Sequence, residues 1–243
     1  MLGFILPLSL LLVSPLAAPD EVKIAVAANF TAPMKEIAAQ FTRATGHETG
    51  VSHGSTGKLY AQIENGAPFD VFLAADQKHP KQLAEAGKAS VPFTYAVGKL
   101  VLWSAMPGSI DAQGNVLRGG AFDKLAIANP KTAPYGAGAL QVLERLGVLR
   151  AVEHKLVRGE NIAQTYQFVL TGNAQLGFVA LSQIVLDPKG SRWNPPQALY
   201  DPIRQDAVLL ERGAANPAAS ALIDFLKGPK ARSVIEKYGY GVE

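Results

Sequence analysis

The chain contains no cysteine. That excludes disulfides, thiolate metal ligands and a cysteine nucleophile together, and leaves stability to packing and hydrogen bonding. Charge is sparse as well: Asp, Glu, Lys and Arg make up 18% of the 243 residues, for a net charge of +3. No cluster of Lys and Arg with interleaved aromatics occurs, so nucleic acid is not an expected partner. The four histidines, His47, His53, His79 and His154, lack the HxxxH spacing or carboxylate pairing of a metal site, and no directly coordinated metal is expected. There is no GxSxG nucleophile elbow. The GSTGK run at 54–58 is not a phosphate loop, which needs Gly where Ser52 stands and Ser or Thr where Leu59 stands. An exported phosphoryl hydrolase would require a base and nucleophile or a metal cluster. Neither pattern is present, so the reading is not an enzyme.

Long apolar runs are scarce too. The single one, residues 2–18 (LGFILPLSLLLVSPLAA), is too short and too rich in proline for a spanning helix and ends in Ala17-Ala18 before Asp20 and Glu21. It reads as a secretory signal peptide over 1–19, despite having no Lys or Arg ahead of it, and predicts export to the periplasm.

From Val22 onward, strand-like and helix-like runs alternate. Val22–Ala28, Glu48–Ser52, Asp70–Ala75, Leu125–Ala128, Lys155–Arg158 and Leu176–Leu181 read as strands. Helical spacing appears over Pro33–Thr45, Lys58–Asn65, Pro80–Gly87, Ala137–Leu146 and Ile162–Thr171, and in a pair over 217–237 broken at Gly228-Pro229. Such alternation predicts an α/β fold with mixed, mostly parallel sheets flanked by helices. Two longer extended segments, 93–104 and 203–210, bracket the middle of the chain. They predict two lobes with the chain crossing between them: lobe I from 20–98 plus 203–243, lobe II from 99–202.

Chemistry concentrates where strands hand over to helices. Four loops share that position: Ala27–Thr31, His53–Gly57, Asn129–Gly138 and Glu160–Ile162. Each pairs small or hydrogen-bonding residues with a helix start, where unpaired N–H groups and the positive end of the helix dipole favour an anion. Caps and glycine turns are common in any α/β protein, so no single loop decides the matter. Four of them, two from each expected lobe, predict an anion held in an inter-lobe cleft.

Several segments carry a family resemblance: AANFTAPMKEIAAQF (27–41), GSTGKLYAQIENGAPFDVFLAADQK (54–78), GKLVLWS (98–104), NPKTAPYG (129–136), LGFVALSQI (176–184) and FLKGPKARSVIEKYGYG (225–241). In these the chain resembles the periplasmic molybdate-binding proteins of bacterial molybdate importers, over nearly its whole length after Val22. The resemblance implies a type II periplasmic binding protein fold. It implies an oxyanion, molybdate or tungstate, held by hydroxyl, amide and backbone N–H donors without a cofactor or cation, and a monomer that delivers it to the membrane permease subunits of an ABC importer. Position by position it implies Asn29 in the first loop, Thr56 with Ser55 beside it in the second, the backbone of Tyr135 in the third and Ile162 in the fourth. Two departures stand out. Some relatives have Ser at the place of Asn29, so here its amide is expected to donate. Some place a ligand Tyr where this chain has Ala180, and Asn161 or Tyr135 is expected to compensate.

Molybdate carries two charges and no proton at neutral pH, so a cavity of pure donors suits it. Sulfate or another tetrahedral oxyanion is the nearest alternative. Hydrogen phosphate would need an acceptor, and the first three loops hold no Asp or Glu, although the fourth has Glu160.

Overall fold

A computed structural model of the chain describes residues 20–242. The expected signal peptide, 1–19, lies outside the described residues. Ten strands run in chain order as β1 Glu21–Ala27, β2 Glu48–Gly54, β3 Val71–Leu73, β4 Phe93–Gly98, β5 Leu100–Ser104, β6 Leu125–Ala128, β7 Leu156–Gly159, β8 Leu176–Ala180, β9 Ser191–Trp193 and β10 Ile203–Leu209. Among the described residues, nine α-helices accompany them: α1 Thr31–Thr45, α2 Thr56–Glu64, α3 Lys78–Glu85, α4 Val116–Gly119, α5 Pro134–Arg145, α6 Leu149–Val152, α7 Ile162–Leu170, α8 Pro217–Lys227 and α9 Pro229–Lys237.

The strands form two five-stranded sheets, ordered β2-β1-β3-β10-β4 and β7-β6-β8-β5-β9. The chain leaves the first sheet at Gly98, enters the second at Leu100, and is back in the first by Ile203. Parallel and antiparallel pairings are evenly balanced, so the sheets are more mixed than the alternation of elements suggests. The cause is the crossover itself: β4 and β10 pair antiparallel, and so do β5 and both of its neighbours. The expected single extended run over 93–104 is therefore two strands, one in each sheet, turning at Gly98-Lys99. No side chain fits at Gly98, because a Cβ there would collide with the Tyr135 hydroxyl and the Gln205 amide.

Each sheet is covered by helices whose apolar stripes make the cores. In α1, Met34, Ile37, Ala38 and Phe41 recur at helical spacing and are buried against β1, β3 and the α8–α9 pair. Gly46, at φ 79°, ends that helix in the left-handed region, where glycine carries no steric cost. In the second half, α5 buries Ala139, Val142 and Leu143 beside Leu100, Leu125 and Phe178. That core also takes in Ala27, Ala28 and Ala75 from the first half, so the two halves meet through apolar contact near the carboxyl ends of β1 and β3. In such α/β sheets the carboxyl ends of the parallel strands are where helix starts gather.

Candidate functional site

Four helix starts converge on one small cavity: the 3-10 turn Ala28–Phe30 that runs into α1, and the first turns of α2, α5 and α7. Its walls include Asn29, Ser55 and Thr56 from the first half and Tyr135, Asn161 and Ile162 from the second. The cavity has a volume of about 10 Å³ for the centre of a water-sized sphere. That is about the space of one water molecule. No Asp, Glu, Lys or Arg lines it. A larger groove of about 460 Å³ runs alongside past Lys78, Lys131 and Arg204 and shares Ala75, Ala133 and Pro134 with the cavity. It carries charges of both signs, so chemistry favours the smaller chamber for a compact anion.

The donors are distinguishable one by one. Ser55 is the N-cap of α2, yet its side chain makes no cap bond, and its buried hydroxyl has no hydrogen-bond partner in the protein. A buried unpaired hydroxyl is costly, on the order of 1–3 kcal/mol, and so calls for an explanation. Next to it, Thr56 Oγ1 accepts from the backbone N–H of Ala75 at 2.9 Å, which leaves its own proton to give. Tyr135 sits at the second position of α5, where Pro134 precedes it and the helix has no internal acceptor for its N–H. Ile162 holds the first position of α7. The Asn161 side-chain oxygen caps that helix by accepting from Ala163 and Gln164, both at 3.0 Å, and leaves the Ile162 N–H unclaimed.

Three side chains expected to face a guest are engaged elsewhere, wholly or in part. The Asn29 amide nitrogen donates to Gln205 Oε1 at 2.8 Å and to the Tyr240 hydroxyl at 3.0 Å. The Tyr135 hydroxyl, a suggested substitute for a tyrosine at Ala180, instead accepts from Gln205 Nε2 at 3.2 Å, away from the helix start. Asn161, the other suggested substitute, has its oxygen committed to the cap. Ala180 itself is buried at the end of β8, and its N–H donates to Gln183 Oε1 at 2.9 Å.

Behind the cavity lies a polar cluster that sequence reasoning missed: Tyr95, Ser182, Gln205 and Tyr240, all buried. Ser182 Oγ donates to the Asn29 carbonyl at 2.9 Å, and Tyr240 Oη to the same oxygen at 2.7 Å. Burial pushes the phenols of Tyr95 and Tyr135 well above their ordinary range. Burial likewise pushes Tyr240 up to about 12, against the opposing pull of its hydrogen bonds with Ser182, Asn29 and Tyr135. All three are therefore neutral donors at physiological pH. One signal was available: period-two alternation in β10 places Gln205 on the inward face with Ile203 and Ala207.

The halves are closed on each other. Gly57 N donates to Thr132 O at 2.9 Å across the cleft, and a Cβ on Gly57 would stand 3.2 Å from Thr132 Cα. Lys58 and Glu160 pair at 2.8 Å beside it, each about half exposed. Beside the second loop, His53 meets Thr31 Oγ1 at 3.2 Å, and burial lowers its pKa. Among the described residues no group of three or more His, Cys, Asp or Glu is placed to hold a metal.

The family model for bacterial extracellular solute-binding proteins matches residues 22–241. The chain belongs to that family. It is 62% identical to the molybdate-binding protein ModA of Azotobacter vinelandii over 232 residues, spanning 93% of this chain and 92% of that one. The ModA of Rhodobacter capsulatus is 55% identical, spanning 93% and 90%. Among solved structures, the A. vinelandii periplasmic molybdate-binding protein superposes with a TM-score of 0.89 at 43% identity, over 91% of this chain and 99% of that one. Two helix-flanked mixed sheets with a chamber between them are thus the architecture of a solute-binding protein.

Proposed function

We propose that the chain binds molybdate, and also tungstate, in the chamber between its halves, and carries it through the periplasm to the membrane permease subunits of an ABC importer. The observation that carries this reading is the buried Ser55 hydroxyl, unpaired in the protein, in a chamber free of charged side chains where four helix starts meet. A dianion there receives donors and partial positive charge from every side. No carboxylate stands in the wall to accept a proton from hydrogen phosphate. Near relatives named for molybdate support the same guest. Ser55, Thr56 and the N–H groups of Asn29, Tyr135 and Ile162 form the donor set, with Asn161 holding the last of these in place. The two halves act as lobes that close over the guest, and the protein works as a monomer without catalysis.

Thermal unfolding with molybdate, tungstate, sulfate or hydrogen phosphate tests the reading. A guest that binds only the folded chain stabilises it by about 2.7 kcal/mol at a hundred times its Kd. Molybdate and tungstate should raise Tm together and well above the other two. An equal rise with sulfate removes the molybdate assignment.

A further inference from the structure

Glycine is an unfavourable choice inside a helix, because it gives up more backbone freedom on folding than any other residue. Gly57 is the second residue of α2, and its φ lies outside the left-handed region that would require glycine. The reason for it lies across the cleft. The three heavy atoms nearest to a Cβ built at Gly57 are Thr132 Cα at 3.2 Å and Thr132 Cβ and O, both at 3.4 Å, all in the other half.

What the missing side chain permits is backbone contact. The Gly57 N–H belongs to the first turn of α2, where the helix has no acceptor for it, and it donates to Thr132 O at 2.9 Å. Donors for a guest stand beside both ends of that bond. Ser55 and Thr56 immediately precede Gly57, and the Tyr135 N–H follows Thr132 by three residues. The approach of the two loops at this contact therefore sets the distance between the α2 and α5 donors.

Both loops are firmly held. The Asn129 carbonyl accepts from Thr132 N at 3.2 Å and Ala133 N at 2.9 Å, its side chain accepts from Lys131 N at 3.1 Å, and its own N–H donates to Gly159 O at 2.8 Å. Helix α5 sits so close to the end of β6 that a Cβ on Gly136 would collide with the Ala128 carbonyl. On the opposite side, Lys58 N and Leu59 N donate to Ser55 O at 3.1 and 3.0 Å, and Thr56 Oγ1 accepts from Ala75 N. Carbon atoms 3.2 Å apart are inside ordinary van der Waals contact, so a methyl group at position 57 would part the halves by a few tenths of an ångström.

We infer that Gly57 is a specificity-determining residue for the oxyanion site: by admitting Thr132 to backbone contact, it sets the spacing of the α2 and α5 donors and so the size of guest that both halves can grip at once. This rests on the oxyanion reading above. Sulfate has the shape and charge of molybdate but is smaller by an amount of the same order as that parting. A hydrogen bond stretched beyond its range weakens, and the smaller guest loses one side first. A chamber widened at Gly57 therefore releases sulfate more readily than molybdate.

The test compares the parent chain with Gly57→Ala. Titration calorimetry measures sodium molybdate directly and sodium sulfate by displacement of molybdate at constant ionic strength, and urea unfolding measures stability with neither anion present. Gly57→Ala should raise the molybdate Kd roughly tenfold, within the range for an overpacked contact. The sulfate Kd should rise by roughly threefold to tenfold more than that, the worth of about one further hydrogen bond. The urea midpoint should stay at or above that of the parent, since alanine suits the helix and its methyl group meets the opposing half before its own. A lower midpoint would mark Gly57 as a packing residue and overturn the inference. Parental molybdate affinity, or an equal loss for both anions, would overturn it as well. In each of these cases a parent chain that binds molybdate leaves the oxyanion reading standing. A parent that binds neither anion removes the reading and the inference together.

Discussion

Ser55→Ala separates a binding hydroxyl from a structural one. The Ser55 side chain caps nothing and pairs with nothing in the protein, so its removal breaks no internal hydrogen bond. It relieves the cost of a buried unpaired hydroxyl. Because this one borders the cavity, the gain should reach only about 1 kcal/mol, within the range for such groups. In a chain of this size that is a rise of roughly 2–4 °C in ligand-free Tm. A hydrogen bond to a charged guest is worth about 1.5–3 kcal/mol, so the molybdate Kd should rise roughly tenfold to hundredfold. The signature is thus weaker binding from a more stable protein.

Thr56→Val supplies the contrast. Its hydroxyl accepts the buried Ala75 N–H, so the valine leaves that donor unpaired and should destabilise the ligand-free chain by about 1–3 kcal/mol. Titration calorimetry for Kd and urea unfolding for stability, run on both variants, read out the two effects independently. If Ser55→Ala binds molybdate as tightly as the parent, or unfolds more easily without it, the chamber is not built around that hydroxyl.

Three further outcomes follow from other parts of the cleft. The Lys58–Glu160 pair is half exposed, so Glu160→Gln should weaken molybdate binding less than about fivefold, an effect that disappears at high salt in the same calorimetric assay. Gly98→Ala drives a methyl group into the Tyr135 hydroxyl and the Gln205 amide and should cost about 1–3 kcal/mol in urea unfolding, with a matching loss of affinity. His53 has a lowered pKa in the folded chain, so the unfolded chain takes up its proton first as pH falls. Stability is fully present above the ordinary histidine pKa near 6.5 and declines below it, and His53→Gln should flatten the urea-unfolding profile between roughly pH 7 and 5.

The fold was legible because its signals are local. The Met34–Ile37–Phe41 stripe, the glycine stop at Gly46 and the all-apolar LAIA of β6 each specify an element from neighbours in sequence. The three-residue strand Ser191–Trp193 and the one-turn helices at Val116 and Leu149 were not legible, since they are too short to show a period. The site divides along the same line. Helix starts can be read from Asn, Ser, Thr and Gly at strand ends, and the structure brings all four proposed loops to one cavity. What those side chains do inside it could not be read. Whether the Asn29 amide faces a guest depends on Gln205 and Tyr240, which lie 176 and 211 residues away in sequence. Likewise, Thr56 rather than Ser55 takes the Ala75 N–H because of how β3 ends.

On the proposed function, the division of donors between the halves gives capture and release the same cause. The starts of α1 and α2 belong to the first half and those of α5 and α7 to the second. Neither half alone can surround a dianion, and an open cleft offers two helix starts with bulk water in place of the others. Closure brings in the missing pair and expels water, which strengthens every donor through the lower local dielectric. At the rim, the contacts between the halves among the described residues include a backbone bond from Gly57 to Thr132 and a half-exposed ion pair, Lys58–Glu160. The buried bonds from Ser182 to Asn29 and from Gln205 to Tyr135 lie deeper, beside the crossover strands. A partner that pries the rim apart therefore breaks little protein structure. It removes two of the four helix starts from the guest at once, and release needs no change in protonation because no titratable group lines the chamber within reach of neutral pH.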